Sequence, residues 1–291
     1  MAGGLVELLM DPASTLGTLQ QVPLATGDFQ KNKLVPKERR DAMNNLLLAY
    51  EHVPAADRIC YFDVRAMPGT GELREFVIEP QARSAQFKSG LIFKTAKTLR
   101  PIFYLPYRKN GTTRMKLEQP PGWGGPEVTF FATATIDGCS VYIEGPTAAP
   151  KVTHANAAAV QPTLPADTYA QKQPKIQAKI QAMDTRLQNL KKAPAAVVER
   201  PDYMVEDPVQ VQAAKQQFAN WKAVPVAQVK AYSPFGAVVG VKGGGNWTFY
   251  LQKSGAFDYT AVGGGPGLRS YMVLDAREVF PNGGGIVRIL P

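Results

Sequence analysis

Two cysteines and two histidines occur in the 291 residues of the chain, and one of each, Cys139 and His154, falls within the run TIDGCSVYIEGPTAAPKVTHAN. A thiol and an imidazole on one face are the minimum equipment for thiolate attack on an amide or ester carbonyl. A free thiol titrates near about pH 8.5 and is mostly protonated at neutrality, so a neighbouring imidazole raises the thiolate fraction. The imidazolium then holds a proton for the leaving group. Attack on a carboxamide would release ammonia and leave a thioester, which water hydrolyses to regenerate the thiol. The backbone N–H groups of Gly138 and Cys139 are candidates to receive the oxyanion, and Gly138 leaves the backbone open where a substrate carbonyl approaches.

The segment that must position these two residues reads as a β-hairpin. Ser140 to Glu144 (SVYIE) is a short β-branched and aromatic run, GPTAAP is rich in turn formers, and KVTHA resumes a strand. With Glu144 opposite Lys151, Val141 faces His154 and Cys139 faces Asn156. Thiol and imidazole are then diagonal neighbours on one side, roughly 7–8 Å apart at the backbone and within reach once both side chains lean inward. A two-residue shift would put Cys139 opposite His154 on the same face, whereas a one-residue slip would send them to opposite faces. Two bland readings compete. Cys139 can be a small buried hydrophobe with His154 a structural core residue, or Cys60 and Cys139 can pair in a single disulfide.

The block Asp137-Gly138-Cys139-Ser140, a strand, a Gly/Pro-containing turn and Lys151-Val152-Thr153-His154 resembles the catalytic segment of bacterial toxin glutamine deamidases. The likeness is to the cytotoxic necrotizing factor and Burkholderia lethal factor 1 type, with a CheD-like catalytic core. In that family a Ser-Gly-Cys or similar turn carries the nucleophile and a His follows about one hairpin downstream. The resemblance implies Cys139 as nucleophile and His154 as general base and acid. It also suggests Thr133, on the strand leading to the Cys, as the residue that orients the base; ordinary strand propensity explains Thr133 as well, and a backbone carbonyl could equally hold the imidazole. Asp137 departs from the family's small residue before the Gly, and alternation puts it on the face of Cys139 unless the turn breaks the strand. The resemblance further implies a bacterial toxin or effector, made in the bacterial cytosol and exported or injected. Its partner would be a target-cell protein, a Rho-type GTPase or a translation factor being the kinds of substrate such relatives modify.

Composition agrees with a folded catalytic body. The chain is 45% hydrophobic with a formal net charge of +9 and a pI near 9.4, enough to bury a full core. The basic residues are dispersed and no zinc-finger, RRM or KH signature accompanies them, so no nucleic-acid partner is expected and the charge reads as an aid to meeting an acidic protein. The opening MAGGLVELLMDPAS lacks a basic n-region, and no segment has the length of a membrane span, so neither a cleavable signal nor stable membrane insertion is expected. With two His and two Cys and no clustered spacing, neither a metal nor a cofactor is expected. A papain-like protease would need its His much further from the Cys.

Elsewhere the spacing of Ala42, Leu46, Leu47 and Tyr50 predicts a helix over 36–52. RICYFDV, LREFVIE, GLIFKTA, RPIFYLPY, TRMKLEQ and VTFFATAT read as strands. Residues 157 to about 173 read as a linker. Ile176, Ile180, Met183, Leu187 and Leu190 mark one face of a following helix, docked on the body or kept for a partner. A second helix covers Val209 to Trp221. AVVGVKGGGNWTFYLQKSGAFDY reads as a hairpin turning at Gly243–Gly245 with Trp247, Phe249 and Leu251 on one face, GGGPG and NGGG as turns, and IVRIL as a closing strand. These late strands are expected to complete the sheet that carries the Cys–His hairpin.

The expectation is one catalytic domain over 1–291 with a linker and helical insertion at 157–223. Its fold class is α+β, a mixed, mostly antiparallel β-sandwich core flanked by helices. The expected function is a cysteine-dependent protein glutamine deamidase. The alternatives are a transglutaminase at the same Cys–His site and a non-catalytic β-rich protein-interaction module.

Overall fold

The computed structural model describes residues 2–26, 59–66, 73–79, 100–108, 111–156, 167–188 and 195–282. The helix expected over 36–52, the strand GLIFKTA, Leu190 and the closing strand IVRIL lie outside the described residues.

Two sheets form a sandwich, as expected of a mixed, mostly antiparallel α+β architecture. The larger has eight strands in the order β1-β3-β2-β4-β6-β10-β11-β12 and the smaller four in the order β5-β8-β7-β9. The strands are β1 (Leu24–Thr26), β2 (Ile59–Ala66), β3 (Arg74–Glu79), β4 (Arg100–Leu105), β5 (Thr112–Lys116), β6 (Phe130–Thr133), β7 (Ser140–Glu144), β8 (Lys151–Ala155), β9 (Ala196–Val198), β10 (Val229–Gly243), β11 (Asn246–Tyr259) and β12 (Leu268–Phe280). The β1·β3 and β4·β6 pairs are parallel, which makes the larger sheet mixed.

Period-two alternation divides the burial. Phe103, Leu105, Phe131, Trp247, Phe249 and Leu251 of the larger sheet meet Met115, Val141, Ile143 and Val152 of the smaller one in a single inter-sheet core. Trp247, Phe249 and Leu251 share the face read for them from the sequence. The opposite face of the larger sheet (Phe62, Ile102, Phe130, Val239, Val241) is covered by α1 (Ala2–Met10) and α2 (Thr15–Gln21) through Val6, Leu9 and Leu19. Gln252, fully buried on β11, ties this layer down. Its Oε1 accepts from the Leu24 N–H at 2.8 Å, and its Nε2 donates to the carbonyls of Leu19 and Val22 at 2.6 and 2.8 Å.

The outer face of the smaller sheet is covered by α3 (Tyr169–Gln188), whose Ile176 and Ile180 pack on Tyr142 and Ala155. The Ile176 and Ile180 part of the seam is therefore docked; the side chains of Met183 and Leu187 lie outside the described residues. The helix begins at Tyr169, with Pro174 inside its second turn, so the stretch expected as a linker does not extend to residue 173; its residues 157–166 lie outside the described residues. After β9 come α4 (Arg200–Tyr203) and α5 (Pro208–Lys222). Helix α5 starts where the Asp207 carboxylate accepts from the N–H groups of Val209 and Gln210, and it matches the helix expected over Val209–Trp221.

One expectation about the sheets is corrected, and one strand was not foreseen. β10, β11 and β12 join β6 in the larger sheet and not the sheet of the Cys–His hairpin; the smaller sheet is completed instead by β9, from within the expected helical insertion. The reason is a crossing between β6 and β7: Ile136 still bridges Gly236 of β10, while Ser140 already pairs with Ala155 of β8. The long strand β12 is the other difference. Its pairing with β11 shifts register between Lys253 and Ser254 and again between Phe249 and Tyr250, and at the second shift the alternation gives way to the buried neighbours Val279 and Phe280.

Candidate active site

Cys139 stands where the chain crosses from one sheet to the other. The crossing is made at Gly138, whose φ of +146° is backbone that L side chains rarely adopt. This break separates Asp137 from Cys139: the carboxylate side chain is exposed and the thiol is completely buried, so the two do not share a face. Cys139 is anchored from a distance, since the buried Tyr203 of α4 donates its hydroxyl to the Cys139 carbonyl at 2.7 Å. Tyr203 in turn lies so close to Gly236 that a Cβ there would stand 2.9 Å from its ring. The closeness of β10 to this corner therefore requires glycine.

The hairpin register is the one read from the sequence. Glu144 pairs with Lys151 and Val141 with His154, and just beyond the last pair of the ladder Cys139 lies against Asn156. Thiol and imidazole thus belong to the same, inward face, and His154 is 1% exposed in the middle of the sheet between Val141 and Thr113.

The partners of the two groups were not anticipated. Asn156 Nδ2 donates to Cys139 Sγ at 3.3 Å. The Tyr107 hydroxyl makes a long contact of 3.5 Å to Asn156 Oδ1, and the Tyr107 ring lies tilted against the imidazole, centroids 5.9 Å apart. Asn156 and Tyr107 therefore join thiol and imidazole into one cluster, although Cys139 and His154 are not hydrogen-bonded to each other. Both imidazole nitrogens are buried without a hydrogen-bond partner. Thr133, fully buried on β6 in the larger sheet, also has a hydroxyl without a partner, so it does not hold the imidazole in this state. Cys60 is likewise a free, buried thiol. It packs in the layer under α1 and α2, across the larger sheet from Cys139, so the disulfide alternative falls away.

Burial dictates the protonation states. It pushes the Cys139 thiol up to about 11; the Asn156 hydrogen bond and the Lys179 charge oppose the rise, and the Asp137 charge adds to it. Burial also pulls His154 down to about 4. The resting pair at neutral pH is a thiol and a neutral imidazole, not a thiolate–imidazolium pair.

Two cations close over the crossing. A Cβ on Gly138 would stand 3.0 Å from Lys179 Nζ and 3.1 Å from Arg200 Nη1. Docking of α3 through Ile176 and Ile180 delivers Lys179, and the alignment of β9 with β7 brings Arg200, two residues beyond Val198, to the level of Cys139. Neither residue was singled out in the sequence. Asn156 was legible as the residue opposite the thiol, though no role attached to it.

Among the described residues no group of His, Cys, Asp and Glu is arranged to hold a metal ion, and no helix is long and apolar enough to cross a membrane. Comparison of the chain with protein-family models finds no match, and neither does comparison with curated protein sequences.

Proposed function

We propose that this protein is a cysteine-dependent protein glutamine deamidase in which Cys139 is the nucleophile and His154 the general base and acid. The observation that carries the reading is the hairpin register, which puts a thiol and an otherwise unbonded imidazole on one face with Val141 opposite His154. An imidazole with both nitrogens unengaged is free to take the thiol proton, and catalytic contacts are commonly long until substrate arrives. In the reaction the sulfur bonds to the carboxamide carbon as its proton passes to the imidazole and the C=O electrons move to oxygen. Collapse of the tetrahedral species breaks the C–N bond, and the imidazolium proton leaves with ammonia. Water, deprotonated by His154, then cleaves the thioester, giving glutamate and the free thiol. The Gly138 and Cys139 N–H groups remain the proposed oxyanion donors, and a transglutaminase outcome differs only in an amine replacing that water. The protein substrate belongs to a target cell, with Rho-type GTPases and translation factors as the candidate classes, reached by export or injection of the toxin.

A second reading rests on the complete burial of Cys139. In it the thiol and imidazole are core residues of a β-rich interaction module. Mass spectrometry of target-cell lysate treated with wild type or Cys139→Ser separates the two. A glutamine converted to glutamate by wild type alone, and by neither Cys139→Ser nor His154→Ala of native fold, supports the deamidase. Equal, unconverted peptide maps for all proteins overturn it in favour of the module.

A further inference from the structure

The basic groups above Gly138 are arranged for more than packing. Arg200 is held in a fork: its Nε and Nη2 donate to the two carboxylate oxygens of Glu206 at 2.9 and 2.6 Å. That clamp fixes the guanidinium plane and leaves Nη1 turned to Gly138, beside Lys179 Nζ. Lys179 is half-buried and forms no ion pair among the described residues. Two cationic donors thus converge on the residue before the nucleophile, and among the described residues no oxygen receives Lys179 Nζ or Arg200 Nη1. The carboxylate whose charge they feel most directly beyond Glu206 is Asp137, which is exposed and outside ion-pair distance.

We infer that Lys179 and Arg200 form a carboxylate-receiving corner beside Cys139, so that the site selects a protein substrate whose target glutamine is flanked by an acidic residue. The inference rests on reading Cys139 as the nucleophile. A neutral carboxamide is served by backbone N–H groups, whereas a partly desolvated ammonium and a clamped guanidinium match a full negative charge. Asp137, exposed and outside ion-pair distance, lends this corner a longer-range negative charge that opposes an arriving carboxylate.

Two alkylating reagents of equal reactivity class and different charge read this corner without any substrate. Iodoacetate and iodoacetamide attack the same thiolate, so the ratio of their rates at Cys139 cancels the thiolate fraction and reports how the surroundings treat a carboxylate. The rates are measured at pH 8 in low salt on the full chain, following the Cys139 peptide by mass spectrometry so that Cys60 does not contribute. Lys179→Met is expected to lower the iodoacetate-to-iodoacetamide ratio about tenfold, the equivalent of about 1.4 kcal/mol. Lys179→Arg should keep it, and Asp137→Asn, a change at an exposed position that does not threaten the fold, should raise it. An unchanged ratio in both Lys179→Met and Asp137→Asn overturns the inference, and so does a Cys139 that neither reagent reaches in the folded protein. A ratio that responds while no glutamine is ever converted keeps the cation corner and discards the deamidase. Conversion with an unresponsive ratio does the reverse.

Discussion

Alkylation of the folded protein measures the resting state of Cys139 against its pH dependence. With the thiol pushed up to about 11, the thiolate fraction at pH 7.4 is ~0.03%, against ~7% for a free cysteine near 8.5, a ~300-fold deficit. The more basic thiolate is the better nucleophile, and a Brønsted slope of ~0.45 returns a factor of ~13. Iodoacetamide should therefore modify Cys139 at least ~20-fold more slowly than a free cysteine, before any exclusion by the Asn156 and Tyr203 side chains is counted. The rate should climb with pH through pH 9 without a plateau. Asn156→Asp exchanges the amide donor for a like charge at nearly the same shape and should slow the reaction further. His154→Gln should leave the resting rate unchanged, because no hydrogen bond joins His154 to the sulfur in this state. Stopped time courses read on the Cys139 peptide give each rate. A plateau below about pH 8, or a rate equal to that of free cysteine, would show a preformed thiolate–imidazolium pair and refute the neutral resting site.

Two further outcomes concern stability. His154 is pulled down to about 4 from 6.5; above pH 6.5 neither state is protonated and nothing is lost, whereas between 6.5 and 4 the unfolded chain takes up the proton and the folded one does not. Stability from this residue should fall with decreasing pH by about 3 kcal/mol in total, and His154→Gln should flatten that part of the profile in urea titrations run from pH 7.5 to 4.5; coincident slopes for the two proteins would contradict it. Gln252→Leu leaves the Leu24 N–H and the Leu19 and Val22 carbonyls without their buried partner. It should cost about 2–3 kcal/mol in denaturant unfolding, where a loss below about 0.5 kcal/mol would show that the α2–β1 connection relaxes to satisfy itself.

Legibility in the sequence follows the range of the interactions. The two strands of the hairpin were legible from the apolar alternation of SVYIE and KVTHA and the turn residues between them, and of the registers left open there the observed one pairs Glu144 with Lys151. Helix α5 was visible for the same reason, its stop and start signals lying within a few residues of its ends. Sheet membership was not local. Whether β10 would join β7 or β6 was decided at Gly138, where a glycine in an otherwise extended run turns the chain across the sandwich. Nothing in TATIDGCSV distinguishes such a corner from a hairpin bulge. Strand β12 was not read from the sequence: its buried positions keep even parity through Ser270, Met272 and Ala276 and then run into the adjacent pair Val279 and Phe280, beside the register shift between Phe249 and Tyr250.

The chemistry of the site divides along the same line. Residue types and parity were enough to put thiol and imidazole on one face, because both lie on adjacent strands of a single hairpin. Their protonation states were not readable, because enclosure by distant residues sets them. Tyr203 reaches the Cys139 carbonyl from 64 positions away, and Tyr107, in the connection between β4 and β5, lies against the His154 ring. Each removes water from a group whose charged form depends on it, driving the thiol up and the imidazole down together. The same enclosure that makes the resting pair inert makes it responsive. A substrate that leaves the Asn156 amide on the sulfur and lends the imidazole an acceptor raises the imidazole's basicity, and the imidazolium so formed in turn favours the thiolate. A buried Cys and His on one face are therefore compatible with catalysis only if binding and activation are a single event, and the cations over Gly138 are where that binding would begin.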